Sequence, residues 1–560
     1  MNINKQTGIG IIDKKSEIQA AMRQYRAQLK KDPNHLYANA SMGVLLMQNS
    51  TRAEGLAYLN KAASLAATKN DSSTLFDLGN TLFMLRQPAE AIDCFRQVLL
   101  IAPDHTDAHC KLGIALQESG WLKEAETSFR RALDLDPEHL ETRIALGVVL
   151  RSQGRLSESA ANYMQALRSH PDNAQLHFNL GITLQLQLRW TDAEASFRST
   201  LHLDPDFADA HCHLAATLKS QRKLQEAQAS YRRALQLDPG SYQALFNLGT
   251  VLLATGQFAE GWKKFEHRWQ GAASAGNLPR TVIPQWKGET PKPADSILIF
   301  QEQGFGDRIQ FARYLKLVRS RFFGKVSVVC HRQLTNLFQR SFPGCEFLPA
   351  APDDQRSWQW QCPIMSLPLA FKTKIGTIPA DVPYLIPGVD LVSQFSEKLV
   401  QLGLPPHVKK IGIVWKTGSA MPNAALRSVQ FNQLACFFSH SNIVWFSLQK
   451  EPGADREKMR AVSQLIDWSD QFDNFDDTAA LIMHLDLVIT VDTAVAHLAG
   501  ALGKKVWLLN RYESEWRWMH DRQDSLWYPT MQIFTQRNPG DWDELIKRAD
   551  ALLAKSVKRA

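Results

Sequence analysis

A 34-residue ruler runs through the first half of the chain and limits its fold more than any other feature. Gly79, Gly113, Gly147, Gly181 and Gly249 fall on it, with Ala215 on the remaining tick. Twelve residues after each tick stand Ala91, Ala125, Ser159, Ala193, Ala227 and Gly261. Sixteen after stand Phe95, Phe129, Tyr163, Phe197, Tyr231 and Phe265. Pro103, Pro137, Pro171, Pro205 and Pro239 follow the first five ticks by twenty-four. Each period reads as a helix hairpin: small residues let the two helices touch, the aromatic fills the groove to the next hairpin, and proline stops the second helix. A less regular period with Gly43, Gly55 and Leu59 precedes these, and before it a half-period with Ala21, Tyr25 and Pro33. About seven repeats plus a half are therefore predicted over residues 1–270.

This pattern resembles the tetratricopeptide repeat. The resemblance implies an α-solenoid with a concave face for an extended peptide or a partner helix. The signature residues are architecture, so binding would fall to other residues of the first helices, such as Asn80, Lys111, Asn179, His211 or Asn247. The last repeat ends in GWKKFEHRW (Gly261–Trp269), and a stretch rich in Gly, Ala, Ser and Pro follows. Residues 271–294 read as a linker pinned by Trp269 and Trp286.

A chain of 560 residues is too long for one core. No apolar run approaches the roughly 20 residues of a membrane span, and MNINKQTGIGIIDKKSEIQ lacks the apolar core of a signal peptide. The seven cysteines are scattered without a C-x-x-C pair, which argues against disulfides and a zinc site and fits a reducing cytoplasm. A net charge of +8 permits an acidic or phosphorylated partner, but its basic residues are dispersed, so nucleic acid is not expected.

The second half alternates short apolar runs with helical ones, as α/β folds do. Ser296–Phe300 reads as a strand, Gln301–Asp307 as a glycine turn and Arg308–Arg319 as a helix. Gly304 and Gly306 would let the backbone approach a ligand. Asp307 either caps that helix or places a general base at the sheet's carboxyl edge. Strands are predicted at Lys325–Cys330, Ile411–Trp415 and Ile443–Leu448, the second running into Lys416 and the third into Gln449-Lys450. Leu487–Trp507 is the clearest β-α-β unit. Asp492-Thr493 open its helix at a strand's carboxyl end, where phosphate binds, and His497 lies four residues on, on the same helix face. Gly503 stands where a left-handed C-terminal residue belongs. A Pro-rich interdomain crossing is placed near Gly388–His407, and Asp541–Glu544 as the acidic start of a last helix rather than a metal site.

Five stretches resemble bacterial tetratricopeptide-linked glycosyltransferases, whose catalytic half is similar to the heptosyltransferase-like family of GT-B enzymes: QEQGFGDRIQFARYL (Gln301–Leu315), CPIMSLPLAF (Cys362–Phe371), TIPADVPYL (Thr377–Leu385), VDTAVAHLAGALGKKVW (Val491–Trp507) and WRWMHDRQDSLWYPTMQIF (Trp516–Phe534). The resemblance implies an acceptor-side Rossmann-like domain at 295–390, a nucleotide-sugar-binding one at 400–535 and a helix at 540–556. It implies an inverting transfer without metal or cofactor, from a nucleoside-diphosphate-sugar to a protein or glycan held by the repeats. Asp307 matches the catalytic base; Asp492, Thr493 and His497 match the donor-phosphate motif; Gly304 and Gly306 match the glycine turn; Lys416, Gln449 and Lys450 match donor-site positions by order. One departure stands out: where the family carries a polar run before Arg427-Ser428, this chain reads Asn423-Ala424-Ala425-Leu426. That loss supports a second reading, a repeat scaffold with a degenerate transferase domain. Repeats fused to a GT-B half also look like protein O-GlcNAc transferases, an analogy of architecture only.

Overall fold

The computed structural model describes residues 15–49, 51–270, 281–418 and 424–558. A leading helix, Lys15–Lys31, is followed by seven helix hairpins, from Leu36–Gln48 and Arg52–Thr68 to Tyr242–Ala254 and Phe258–Phe265. The packing differs from expectation in one respect. A Cβ on Gly79 would lie 2.7 Å from the Phe95 ring, and one on Gly113 2.5 Å from that of Phe129. The aromatic therefore sits on its own hairpin's glycine, and the small residue is there to admit the ring.

Two further devices recur. His35, His105, His139, Asn173 and Ser241 cap the first helices, each side chain accepting a backbone N–H. Six residues past Pro103, Pro137, Pro171 and Pro205, a side chain returns to the proline carbonyl: His109 at 2.8 Å, Arg143 at 2.8 Å, His177 at 2.9 Å and His211 at 3.0 Å. These bonds satisfy carbonyls at the end of the preceding helix. His211 is thus occupied in holding the array, Lys111 is paired with Glu141 at 2.6 Å, and Asn179 is buried.

The chain divides into two compact units, Met1–Thr217 and Leu218–Ala560, with the division inside helix Ala208–Ser220. The last hairpins belong to the second unit. There Trp262 packs edge-on against Trp516 at 5.4 Å and donates to the Thr373 carbonyl at 3.2 Å. Arg268 reaches Glu302 with two 2.8 Å bonds. Residues 271–280 of the expected linker lie outside the described residues. Beyond them Trp286 is buried between Phe322 and Phe371, each 5.2 Å away, and its backbone N–H donates to the Gln361 carbonyl.

The rest of the unit holds two parallel sheets. β1 (Ile297–Phe300), β2 (Val326–Val329), β3 (Glu346–Leu348) and β4 (Trp360–Pro363) form the first, in the order β3-β2-β1-β4. β5 (Lys409–Val414), β6 (Ile443–Ser447), β7 (Leu465–Asp467), β8 (Leu487–Val491), β9 (Val506–Asn510) and β10 (Met531–Thr535) form the second, in the order β10-β9-β8-β5-β6-β7. Read from β7, this is the doubly wound dinucleotide-fold order, and its crevice opens where the order reverses, between β5 and β8.

Two local expectations are corrected. The helix after β1 starts earlier, as Phe305–Ala312, and breaks before Leu315–Arg321. At the break the Arg313 guanidinium takes the Gln310 carbonyl at 2.8 Å, and the Tyr314 N–H bonds Phe311 instead. The interdomain crossing contains a helix, Val389–Gln401, which its flanking prolines masked. Gly503 has φ +72°, the left-handed conformation predicted for it.

Candidate functional site

Parallel strands end together, so residues far apart in sequence meet at one edge. Lys416 and Gly418 after β5, Gln449 and Lys450 after β6, and Thr493 after β8 line one crevice of about 230 Å³. Asn474 and Phe475, at the start of helix Phe475–Met483, and Gln333 from the first sheet's side complete it. Lys416, Gln449 and Lys450, matched by order, thus stand beside Thr493, matched by motif. The Lys416 N–H donates to the Gln449 side-chain oxygen at 3.0 Å, tying two strand ends together.

Thr493 is the N-cap of helix Ala494–Ala501, with an extended backbone. Its hydroxyl bonds that of Thr490 at 3.1 Å and makes no capping bond. Thr493, Ala494 and Val495 thus bring a helix start without a side-chain cap to the crevice, the kind of helix end that receives anions. Lys416 adds positive charge, although its ammonium is paired with Asp455.

Beside the crevice lies a buried network of charges. The Asp307 carboxylate accepts a 2.6 Å bond from Arg517, and that of Asp492 a 3.0 Å bond from Arg427. Glu515 stands 3.4 Å from Arg511 and 3.9 Å from Arg427. Burial raises the Asp492 carboxyl above its ordinary range against the pull of Arg427. Burial pushes Glu515 the same way, but Arg517, Arg511 and Arg427 outweigh it and bring it below the ordinary range. The Nε–H groups of Arg427, Arg511 and Arg517 are buried without a hydrogen-bond partner. Asp307 lies in the first turn of its helix, whose N-cap is Gly304, so it is not the cap. Arg427, Arg511, Glu515 and Arg517 are the residues that sequence reasoning missed. The one signal among them was for Arg517, which stands between two tryptophans in Trp516–Trp518.

Three expected site residues stand elsewhere. A Cβ on Gly306 would lie 2.7 Å from His497 Cδ2 and 3.7 Å from the Ala494 Cα. Gly306 lets the starts of two helices touch, and that contact takes the place of the expected approach to a ligand. His497 is 2% exposed, stacks on Trp518 at 5.1 Å and bonds the Tyr528 hydroxyl at 2.9 Å. Burial, with Arg517, Arg313 and Arg427 nearby, lowers its pKa well below 6.5, so its ring is neutral. It packs between the domains and does not line the crevice. Gly304 lies outside the crevice as well, beside Asp307. Asn423 falls outside the described residues; Ala424–Arg427 forms a single 3-10 turn that ends in the Arg427 facing Asp492. Among the described residues no group of His, Cys, Asp or Glu is arranged to hold a metal ion, and no helix is long and apolar enough to cross a membrane.

Known families match both halves. Tetratricopeptide profiles match residues 72–105, 106–139, 147–187, 208–241 and 230–263. Glycosyltransferase family 9 (heptosyltransferase) matches residues 473–534, which hold Asp492, Thr493, Glu515 and Arg517 but neither Asp307 nor Lys416. Protein FlbA of Caulobacter vibrioides is 27% identical over 331 residues, 55% of this chain and 54% of FlbA. The chain thus spans about half the length of that curated relative. Among solved structures, pilF of Pseudomonas aeruginosa is 19% identical over 38% of this chain and 97% of its own, with a TM-score of 0.33. The repeat protein TTC0263 of Thermus thermophilus is 25% identical over 32% and 99%, with a TM-score of 0.28.

Proposed function

We propose that this chain, a tetratricopeptide array joined to a glycosyltransferase family 9 segment, transfers a sugar with inversion and without a metal. The donor is a nucleoside-diphosphate-sugar and the acceptor a hydroxyl on a protein or glycan recruited by the repeats. One observation carries the reading: an uncapped helix start at Thr493, flanked by Lys416, at the reversal point of a doubly wound sheet. There the departing diphosphate meets N–H dipoles and an ammonium already in place, which stabilise charge as it develops. Asp307, on the helix after β1, takes the acceptor proton from the other domain. A base and a leaving group held on opposite domains suit an in-line displacement. Arg517 holds the Asp307 carboxylate in place with a 2.6 Å bond.

The experiment is Asp307→Asn at saturating donor. Asparagine still accepts the Arg517 bond, so nucleotide affinity is retained while turnover falls by about 10²–10⁴. Unchanged turnover eliminates Asp307 as base. The scaffold reading draws on one observation: the Asp307 carboxylate and the Lys416 ammonium are each already paired within the protein. A thermal-shift screen against nucleoside diphosphates separates the two. A ligand at about 100 times its Kd stabilises a transferase by roughly 2.7 kcal/mol and leaves a scaffold unmoved.

A further inference from the structure

The segment 511–521 carries Glu515 and Arg517, and neither end of it is regular structure. Met519 and Asp521 have φ +57° and +58°, positions that non-glycine residues occupy only when their surroundings hold them there. Arg517 itself makes one hydrogen bond, to Asp307, and its Nε–H makes none. The place of its guanidinium is therefore set by the segment as a whole.

The α/β half holds the segment through His497 stacked on Trp518 and a Tyr512 N–H bond to Gln536 at 3.0 Å, and the repeats hold it at both ends. Arg222, in the turn between helices Ala208–Ser220 and Leu224–Leu237, has φ +64°. Its guanidinium lies 5.1 Å over the Tyr512 ring, at one end of the segment. At the other end it donates to Asp521 at 2.5 Å and to His520 Nδ1 at 3.4 Å. The Tyr512 hydroxyl donates back to the Gln221 carbonyl at 3.5 Å. Trp516, in the middle, is held on its other side by Trp262 at 5.4 Å and Phe265 at 5.7 Å. One planar cation thus joins both ends of the segment while the last hairpin braces its centre. Lysine cannot substitute, because stacking and the two-ended bonding both need the guanidinium plane.

We propose that Arg222 is a positioning residue for the Asp307–Arg517 pair, so that a repeat turn sets the geometry of the catalytic carboxylate. The inference rests on the transferase reading for its effect on turnover, but not for the effect on the segment. It predicts a division of labour: Thr493, Lys416 and Gln449 stand on other strand ends, so donor binding does not depend on Arg222, whereas orientation of the base does.

The test compares the full chain with Arg222→Ala and Arg222→Lys. Backbone hydrogen exchange of residues 511–521 is read first, and needs no substrate. Both variants should exchange there about tenfold faster or more, with β8 and β9 unchanged, as a locally released segment does. Steady-state kinetics follow: kcat should fall about 10- to 100-fold, the loss that a small misplacement produces, with donor KM unmoved. Unchanged exchange in 511–521 overturns the proposal. So does unchanged kcat, or a kcat, KM and thermal midpoint that move together, which would mark Arg222 as merely structural. If the parent chain turns over no nucleotide-sugar, the transferase reading fails, and the exchange result alone decides whether Arg222 positions the segment.

Discussion

Arg268→Met tests the join between the last repeat and the first sheet. Arg268 is 4% exposed and Glu302 6%. The guanidinium makes two 2.8 Å bonds to Glu302, one to Glu266 and one to Ser366, while Glu302 also accepts the Met365 N–H at 2.9 Å. Methionine keeps much of the stem volume and removes the charge. Breaking a buried pair leaves an uncompensated carboxylate and costs about 3–5 kcal/mol, or about two to four orders of magnitude in the unfolding constant. Replacing both partners, Arg268→Met with Glu302→Leu, should cost far less than Arg268→Met alone, because no buried charge is stranded.

Urea unfolding followed by tryptophan fluorescence is the assay. Of the 15 tryptophans only Trp121 and Trp190 precede Leu218, so the signal reports the second unit. The pH dependence gives an independent check. Burial already raises the Glu302 carboxyl above its ordinary value, and Arg268 offsets part of that. Without Arg268 the folded protein holds a proton that the unfolded chain releases above about pH 4.3. The folded state then binds more protons, so the variant's stability must fall as pH rises through that window. Arg268→Met should therefore be closer to the parent at pH 5 than at pH 7.5. A loss under about 1 kcal/mol, or one independent of pH, would refute the reasoning.

Three further outcomes follow. His497 is buried neutral, with its pKa lowered well below 6.5; below that value the unfolded ring takes up a proton that the folded ring refuses, so each unit of acidification costs about 1.4 kcal/mol, and His497→Phe should flatten that limb of the stability profile. Gly306→Ala drives a methyl to 2.7 Å from His497 and should cost about 1–3 kcal/mol in a melt, with Gly306→Ala/His497→Ala losing less than the sum of the two single variants. A fragment of residues 218–560 should keep nucleotide affinity by calorimetry, whereas one of 271–560, which lacks Trp262 and Arg268, should lose its cooperative unfolding; equal melts would show that the last hairpins do not matter to the α/β half.

The sequence made the elements of the crevice legible but not its walls. β8, the turn at Thr493 and the helix after it are local patterns, and a parallel sheet compels Lys416, Gln449 and Thr493 to one edge whatever the strand order. His497 misled because helix faces are shared while depth is not. Four residues advance a helix by about 6 Å, so His497 lies deep against Gly306 while Thr493 stays at the rim. The roles of Arg427 and Arg517 were hidden for another reason. Each neutralises a carboxylate distant in sequence, Asp492 or Asp307, and no spacing rule joins them. Gly306 looked like a ligand-binding glycine because close approach has one sequence signature, whether the neighbour is a phosphate or an imidazole.

The division at Thr217 was hidden by the repeat pattern itself. The ruler runs on to Phe265 unchanged, because it encodes how two helices of a hairpin pack and not what covers the last one. A solenoid that ends in solvent needs a polar outer face on its final repeat. Here that repeat carries Phe258, Trp262 and Phe265, all buried, with Trp262 against Phe311 and Trp516. The departure GWKKFEHRW was therefore the readable sign that this array is capped by the α/β half, and that its last hairpins fold as part of the domain they abut.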